Sequence, residues 1–290
     1  MATDDKAPIL VAVVADLHVN STVGLCPSAV ALEKGMHRAT KAQRVVFAAW
    51  REFWQERVYA KAGAIGAKVY VVIAGDLNDK NIHDRRGAEL ITTVDADIVK
   101  MSMQALEPML AGKPAHIFIV RGTEAHTGKA ANLEEEVAKD LEPKNCGVVW
   151  DEQEGACSWW WLKLEAGGVT FDIAHHPETT GLKPWTEDPA AARCAREIRA
   201  RYLDRGEKPP DVAVRAHIHK YIPSGKRLNP QMFYCPPWQL TGSHPRRYGA
   251  TSFRAIGGLV FICQNGHYDQ DYIPHLWRPP ILRKKIWKPS

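Results

Sequence analysis

Residues 13–20 read Val13-Val14-Ala15-Asp16-Leu17-His18-Val19-Asn20, and they close a run that is apolar at every position from Ile9. Such a run fits a strand buried on both faces, as in a sheet covered by helices. An acid and an imidazole follow at once. Charged groups at the rim of an apolar core lose water and need a compensating partner. The fold turns on whether Asp16 and His18 are isolated or belong to a set.

The same punctuation recurs four times. Lys68–Ala74 leads into Gly75-Asp76-Leu77-Asn78-Asp79. His116–Val120 leads into Arg121-Gly122-Thr123-Glu124-Ala125-His126. Val169–Ala174 leads into His175-His176-Pro177, and Asp211–Val214 into Ala216-His217-Ile218-His219. Helical patterns lie between the strands. About Thr40 to Ala62, Val46, Ala49, Trp50, Phe53, Trp54, Arg57 and Val58 recur at helical spacing and read as a packing stripe. A second helix is expected over about Ala88 to Leu110, stopped near Gly112 and Pro114. A third, about Pro189 to Leu203, carries arginines on an exposed face. Ser158–Leu164 and Gly257–Cys263 read as further strands. Alternating strands and helices imply an α/β core with parallel pairs, and the later strands imply a second sheet packed on the first.

Composition sets the frame. The 290 residues, 45% of them hydrophobic, suit one large globular unit. A single domain over residues 1–290 is expected, with a basic tail over about 275–290. Acids precede the first apolar run and Asp16 breaks it, a poor signal peptide. No segment is long enough to span a bilayer, so no membrane partner is expected and the expected compartment is the cytoplasm. Six cysteines without a Cys-x-x-Cys pair argue against a zinc ribbon or a disulfide scaffold. The net charge of +5 is compatible with an anionic substrate.

In open α/β sheets, sites form outside the carboxyl ends of strands. In extended chain, residues two apart point the same way, so Asp16 with His18, and His217 with His219, can each present a ligand pair. Any one of these short motifs is more often a polar turn than a site. Five of them, each at a strand end, point instead to a divalent transition metal such as manganese, iron or zinc. A metal ion is the partner that would neutralise Asp16.

Taken in order, Asp16-x-His18, Gly75-Asp76-x-x-Asp79, Gly122-Thr123-x-x-His126, His175 and Ala216-His217-x-His219 resemble the calcineurin-like metallophosphoesterase superfamily, over about Val11 to His219. The resemblance implies a four-layer αββα sandwich of two mixed sheets flanked by helices, and two divalent ions. One ion would be held by Asp16, His18 and His219. Asp76 would bridge to the other, held also by His175 and His217. Asp79 would orient a catalytic His126. Two departures stand out. Ala216 replaces the usual Gly, and Thr123 stands where the pattern has Asn, with two extra residues before His126. This loop is similar to that of phage-related members. Thr123 is the expected contact with the second ion, with Glu124 or water as alternatives.

The chemistry so implied is hydrolysis of a phosphate ester by hydroxide generated from water on two metal ions, most readily manganese. A phosphodiester substrate is expected over a monoester. Arg85, Arg86 and Arg121 are candidate phosphate contacts, together with His176. The substrate is either a nucleotide-sized ester or nucleic acid, as for a nuclease of the same fold. For nucleic acid, the aromatic-basic stretch from Trp277 to Lys288 would supply charge and stacking. A metal-dependent binding module without turnover is the reading from a different class.

Overall fold

The first strand shows why its sequence is apolar throughout. In β1 (Ile9–Val14), Leu10, Ala12 and Val14 enter one core while Val11 and Val13 enter another. This computed structural model describes residues 7–80, 89–142, 147–178, 187–241 and 255–279. Among the described residues, strands β2 (Ala29–Leu32) and β3 (Gly35–Arg38) pair only with each other. Next come β4 (Lys68–Ala74), β5 (His116–Val120), β6 (Leu162–Ala166), β7 (Val169–Ile173) and β8 (Val212–Arg215). The last are β9 (Ile222–Pro223), β10 (Gln231–Tyr234), β11 (Ile256–Gln264), β12 (His267–Tyr268) and β13 (His275–Trp277).

One sheet runs β12-β11-β1-β4-β5, with β13 also paired to β11; the other runs β6-β7-β8-β10-β9. In the first, β1, β4 and β5 are parallel, with Val11 opposite Tyr70 and Val72 opposite Phe118, while β11 is antiparallel to β1. In the second, β7, β8 and β10 are parallel and the flanking strands antiparallel. Both sheets are therefore mixed. Val11, Val13, Val72 and Phe118 of one pack against Phe171, Ile173, Val214 and Phe233 of the other.

Helices cover the outer faces. Helix α1 (Lys41–Glu52) starts at a capping box, in which Gln43 N–H donates to Thr40 Oγ1 and Thr40 N–H to Gln43 Oε1. It continues through a π-helical segment, Phe53–Tyr59, into α2 (Ala60–Ile65). Of the expected stripe, Val46, Ala49, Trp50, Phe53, Trp54 and Val58 are buried against the first sheet, whereas Arg57 is exposed and pairs with Glu52. Burying each large apolar side chain stabilises by about 1.5–3 kcal/mol. Helices α3 (Asp95–Ala105), α4 (Glu107–Leu110) and α6 (Asn132–Leu141) complete this layer, and the short α5 (Glu124–Thr127) precedes α6. On the far side α7 (Glu187–Asp204) sets Ala191, Cys194, Ala195 and Ile198 on Ala213, Met232 and Tyr234. The layers run α, β, β, α, the class expected from the motifs.

Local expectations fail where tertiary bonds outbid helix propensity. The helix expected from Ala88 begins at Asp95. Thr22 N–H donates to Glu89 O, Ile91 N–H to Asn20 O and Thr92 N–H to Asn20 Oδ1, which holds 89–92 extended along the loop after β1. The strand expected over Ser158–Leu164 begins at Leu162, because Trp159 is bonded instead to the edge of β5. Helix α6 and the β2–β3 hairpin had no counterpart in the patterning. Cys26, Cys157, Cys194, Cys235 and Cys263 are free and buried; Cys146 lies outside the described residues. No helix among the described residues is long and apolar enough to cross a membrane. Of the tail, Trp277 is packed, donating to Glu52 Oε2 and stacking with Trp238; residues 280–290 lie outside the described residues.

Candidate metal centre

The parallel strands of both sheets deliver their carboxyl ends to one edge, and backbone bonds join the turns that follow. Asp16 N–H donates to Gly75 O, His18 N–H to Asp76 O and Val19 N–H to Leu77 O. Within the second sheet Ala216 N–H donates to His175 O, and across the sheets Trp238 N–H donates to Asp16 O. These turns are strained. Asp16, His18, Asp76, His217 and His219 all have left-handed φ, at 51°, 44°, 52°, 70° and 53°. Positive φ is uncommon outside glycine and clusters at functional sites. Two glycines are required by close approach. A Cβ on Gly75 would lie 2.4 Å from His175 Nδ1, and one on Gly122 would lie 2.2 Å from Asp76 N.

Two sets of ligand-type atoms converge. In the first, His219 Nε2 lies 3.2 Å from Asp16 Oδ1 and 3.1 Å from His18 Nε2. In the second, His175 Nε2 lies 3.1 Å from Asp76 Oδ2. The Thr123 hydroxyl lies 3.3 Å from both of those atoms and 3.2 Å from His217 Nδ1. Asp76 Oδ2 is also 3.9 Å from His18 Nε2, so this carboxylate stands between the sets. His175 Nδ1 donates to Ala74 O at 2.9 Å, which leaves Nε2 as the atom that faces inward.

The remaining candidates separate. His126 Nδ1 lies 3.1 Å from Asp79 Oδ1, and the imidazole meets His18 edge-on at 4.6 Å. Asp79 Oδ2 is 3.6 Å from His18 Nδ1, so Asp79 touches two imidazoles. His176 joins the second set, its Nε2 3.2 Å from Thr123 Oγ1. Glu124 Oε1 accepts Ala130 N–H instead. Arg121 donates to Ser158 Oγ and stacks on Trp160 at 4.7 Å. Arg85 and Arg86 lie outside the described residues.

Electrostatics favour a cation here. Burial disfavours charge on His175, yet the Asp76 carboxylate outweighs it and pushes the imidazole up to about 10. Asp79 is held down at about 2, burial being overcome by hydrogen bonds from His126 and His18. Burial, then repulsion by His175 and His176, pushes His217 down to about 4. Asp16 Oδ1 is buried and no donor reaches it at a hydrogen-bonding angle; the buried His18 Nδ1 has only the long 3.6 Å contact to Asp79 Oδ2. Such orphaned buried atoms are costly. Adjacent ligands bonded at about 2.1 Å to one ion stand about 3.0–3.4 Å apart, the spacing of the close contacts within each set. Carboxylates and imidazoles in this mixture suit manganese, iron or zinc.

Two further residues shape the site. Glu134, fully buried on α6, accepts Leu77 N–H at 3.0 Å through Oε1 and Gly122 N–H at 2.6 Å through Oε2. It ties the Asp76 turn to the Thr123 turn. Its signal was in the sequence: with Val137, Ala138 and Leu141 it completes an apolar helical stripe, where an acid is out of place. Asn20 donates to Asp79 O and Thr92 O, fixing the loop that carries Asp79. A lone asparagine after a strand gave no such signal.

No family model matches the chain, and no curated protein sequence matches it. Among solved structures it is similar to vacuolar protein sorting 29 from Cryptosporidium parvum, at 14% identity and TM-score 0.43, over 91% of this chain and 96% of that one. It is also similar to a dimetal phosphatase from Danio rerio, at 9% identity and TM-score 0.43, over 89% and 94%. A third is Yfce, a phosphoesterase from E. coli, at 14% identity and TM-score 0.35, over 95% and 100%.

Proposed function

We propose that this chain is a metal-dependent phosphohydrolase with a dinuclear centre, acting on phosphodiesters in preference to monoesters. The observation that carries the reading is the convergence of six ligand-type side chains, Asp16, His18, Asp76, His175, His217 and His219, around strained turns at one sheet edge. Asp16, His18 and His219 would hold one ion; His175 and His217, with the Thr123 hydroxyl beside them, would hold the other; Asp76 would be shared. Bound there, divalent ions supply Lewis acidity toward phosphoryl oxygens and lower the pKa of water.

The chain's own groups do the rest. His126 is steered by Asp79 through Nδ1, so Nε2 is the atom left to hold a phosphoryl oxygen or to pass a proton to the leaving alcohol. Asp79, pinned through its backbone by Asn20, keeps that ring in place. A cleft of about 340 Å³, lined by Trp161, His176, Pro177, Glu178, Arg201 and Arg215, opens next to the second set and offers room for a leaving group with hydrogen-bonding edges. A nucleotide-sized ester suits that volume. Residues 280–290, on which a nucleic-acid reading would lean, lie outside the described part.

The test is turnover of bis-p-nitrophenyl phosphate and p-nitrophenyl phosphate by chelator-treated protein with manganese, iron or zinc added back. The expected result is metal-dependent hydrolysis, faster for the diester. Protein that binds these ions and cleaves neither ester would overturn the proposal.

A further inference from the structure

The geometry points to His176 as a direct ligand of the second metal ion, so that three imidazoles, His175, His176 and His217, surround it with Asp76. This rests on the two-ion reading above and assigns to His176 a role that its sequence position does not suggest.

The observation is an over-subscribed hydroxyl. Thr123 Oγ1 has Asp76 Oδ2 at 3.3 Å, His175 Nε2 at 3.3 Å, His176 Nε2 at 3.2 Å and His217 Nδ1 at 3.2 Å. A hydroxyl offers one proton and two lone pairs, so it cannot satisfy four such neighbours. At His175 Nδ1 is spent on Ala74 O, so Nε2 is the atom whose lone pair an ion would take once its proton is displaced. Ligand atoms of His175, His176 and His217 all lie within 4.8 Å of one another. The rings meet at 4.8, 5.3 and 4.9 Å between centroids, too close to be independent surface groups. One cation bonded by all three nitrogens and Asp76 Oδ2 turns mutual repulsion of lone pairs into coordination. Thr123 then stands at one corner of the same set, because every one of its four spacings is that of adjacent ligands on one ion.

The backbone explains how neighbouring residues reach one point. Along a strand, successive side chains face opposite ways. Strand β7 ends at Ile173 and the chain bends at His175 and His176, just before Pro177. The bend brings both imidazoles to the same side. His176 is exposed where His175 is buried, so it would close the site from the solvent side.

The experiment is calorimetric titration of manganese into chelator-treated wild type and His176→Ala, beside imidazole nitrogen NMR of the wild type during zinc addition. The expected result is two ions on the wild type, with one of the two bound at least tenfold more weakly in His176→Ala. The His176 Nε2 resonance, identified by its loss in the variant, should move to the metal-bound range together with those of His175 and His217. Two ions bound with unchanged affinities by His176→Ala, or a His176 resonance that stays put while zinc fills both sites, would overturn the assignment and leave the two-ion reading standing. A wild type that binds no ion would overturn that reading itself.

Discussion

Replacing Glu134 by Gln tests whether the joint between the Asp76 and Thr123 turns works as described. The carboxyl is fully buried and accepts two backbone N–H groups, from Leu77 and Gly122. An amide has one acceptor oxygen, so one N–H is left facing the amide nitrogen. A stranded buried N–H costs about 1–3 kcal/mol, here taken as about 2 kcal/mol. A second effect opposes it. Burial, aided by the Asp76 charge, pushes the Glu134 carboxyl up to about 7, against 4.5 when unfolded. An acid whose pKa is raised on folding contributes stability that is complete below 4.5 and is lost as pH rises through 7. Over that window the wild type should lose about 3 kcal/mol that the Gln variant does not lose. The two effects therefore decide different pH regions. At pH 5, where roughly 1 kcal/mol of that loss has already occurred, the variant should be less stable by about 1 kcal/mol, and at pH 8 it should be the more stable protein by about 1 kcal/mol. Other titrations at the site occur in both proteins and cancel in the difference. Urea denaturation of chelator-treated protein at the two pH values measures it. A gap that is equal at pH 5 and pH 8 would refute the reasoning about the carboxyl, and no gap at either would refute the joint.

Three other outcomes are expected. His126→Ala should lower turnover by about 10²–10⁴-fold while two ions stay bound, with the smallest loss for esters whose leaving groups are most acidic; rate beside metal content checks this, and loss of an ion would make His126 a ligand instead. Asp76→Asn should abolish hydrolysis and weaken both ions, since one carboxylate serves two cations; full activity at ordinary manganese levels would sink the shared-ligand account. Manganese affinity should rise about tenfold per pH unit between pH 6.5 and 9, because an ion must displace a proton that His175 keeps up to about 10; calorimetry that finds affinity independent of pH would contradict this.

The layers and the edge that carries the site were legible because burial on both faces forces apolar runs, and because a charged residue can follow such a run only where chemistry or solvent awaits it. Asp16, Asp76, His175 and His217 announced themselves in this way. The pairing of the two histidines at 175 and 176 did not, because sequence spacing assumes an extended chain and the chain bends there. Left-handed φ at Asp16, His18 and His219 left no trace either, since the turns are held by bonds to Gly75, Asp76 and neighbouring loops rather than by a glycine of their own. The first two turns expected of the second helix were lost to Asn20, about 70 residues earlier in the chain. The register change at Phe53–Tyr59 was invisible too, because the Trp50, Phe53 and Trp54 stripe satisfies α and π spacing alike.

Anomalous scattering at the manganese edge from manganese-loaded crystals tests the central claim most directly. The account predicts two peaks per chain, one within about 2.2 Å of ligand atoms of Asp16, His18 and His219, the other equally close to His175 and His217, and both touching Asp76. No peak among these residues, or a single peak out of reach of Asp76, would contradict it.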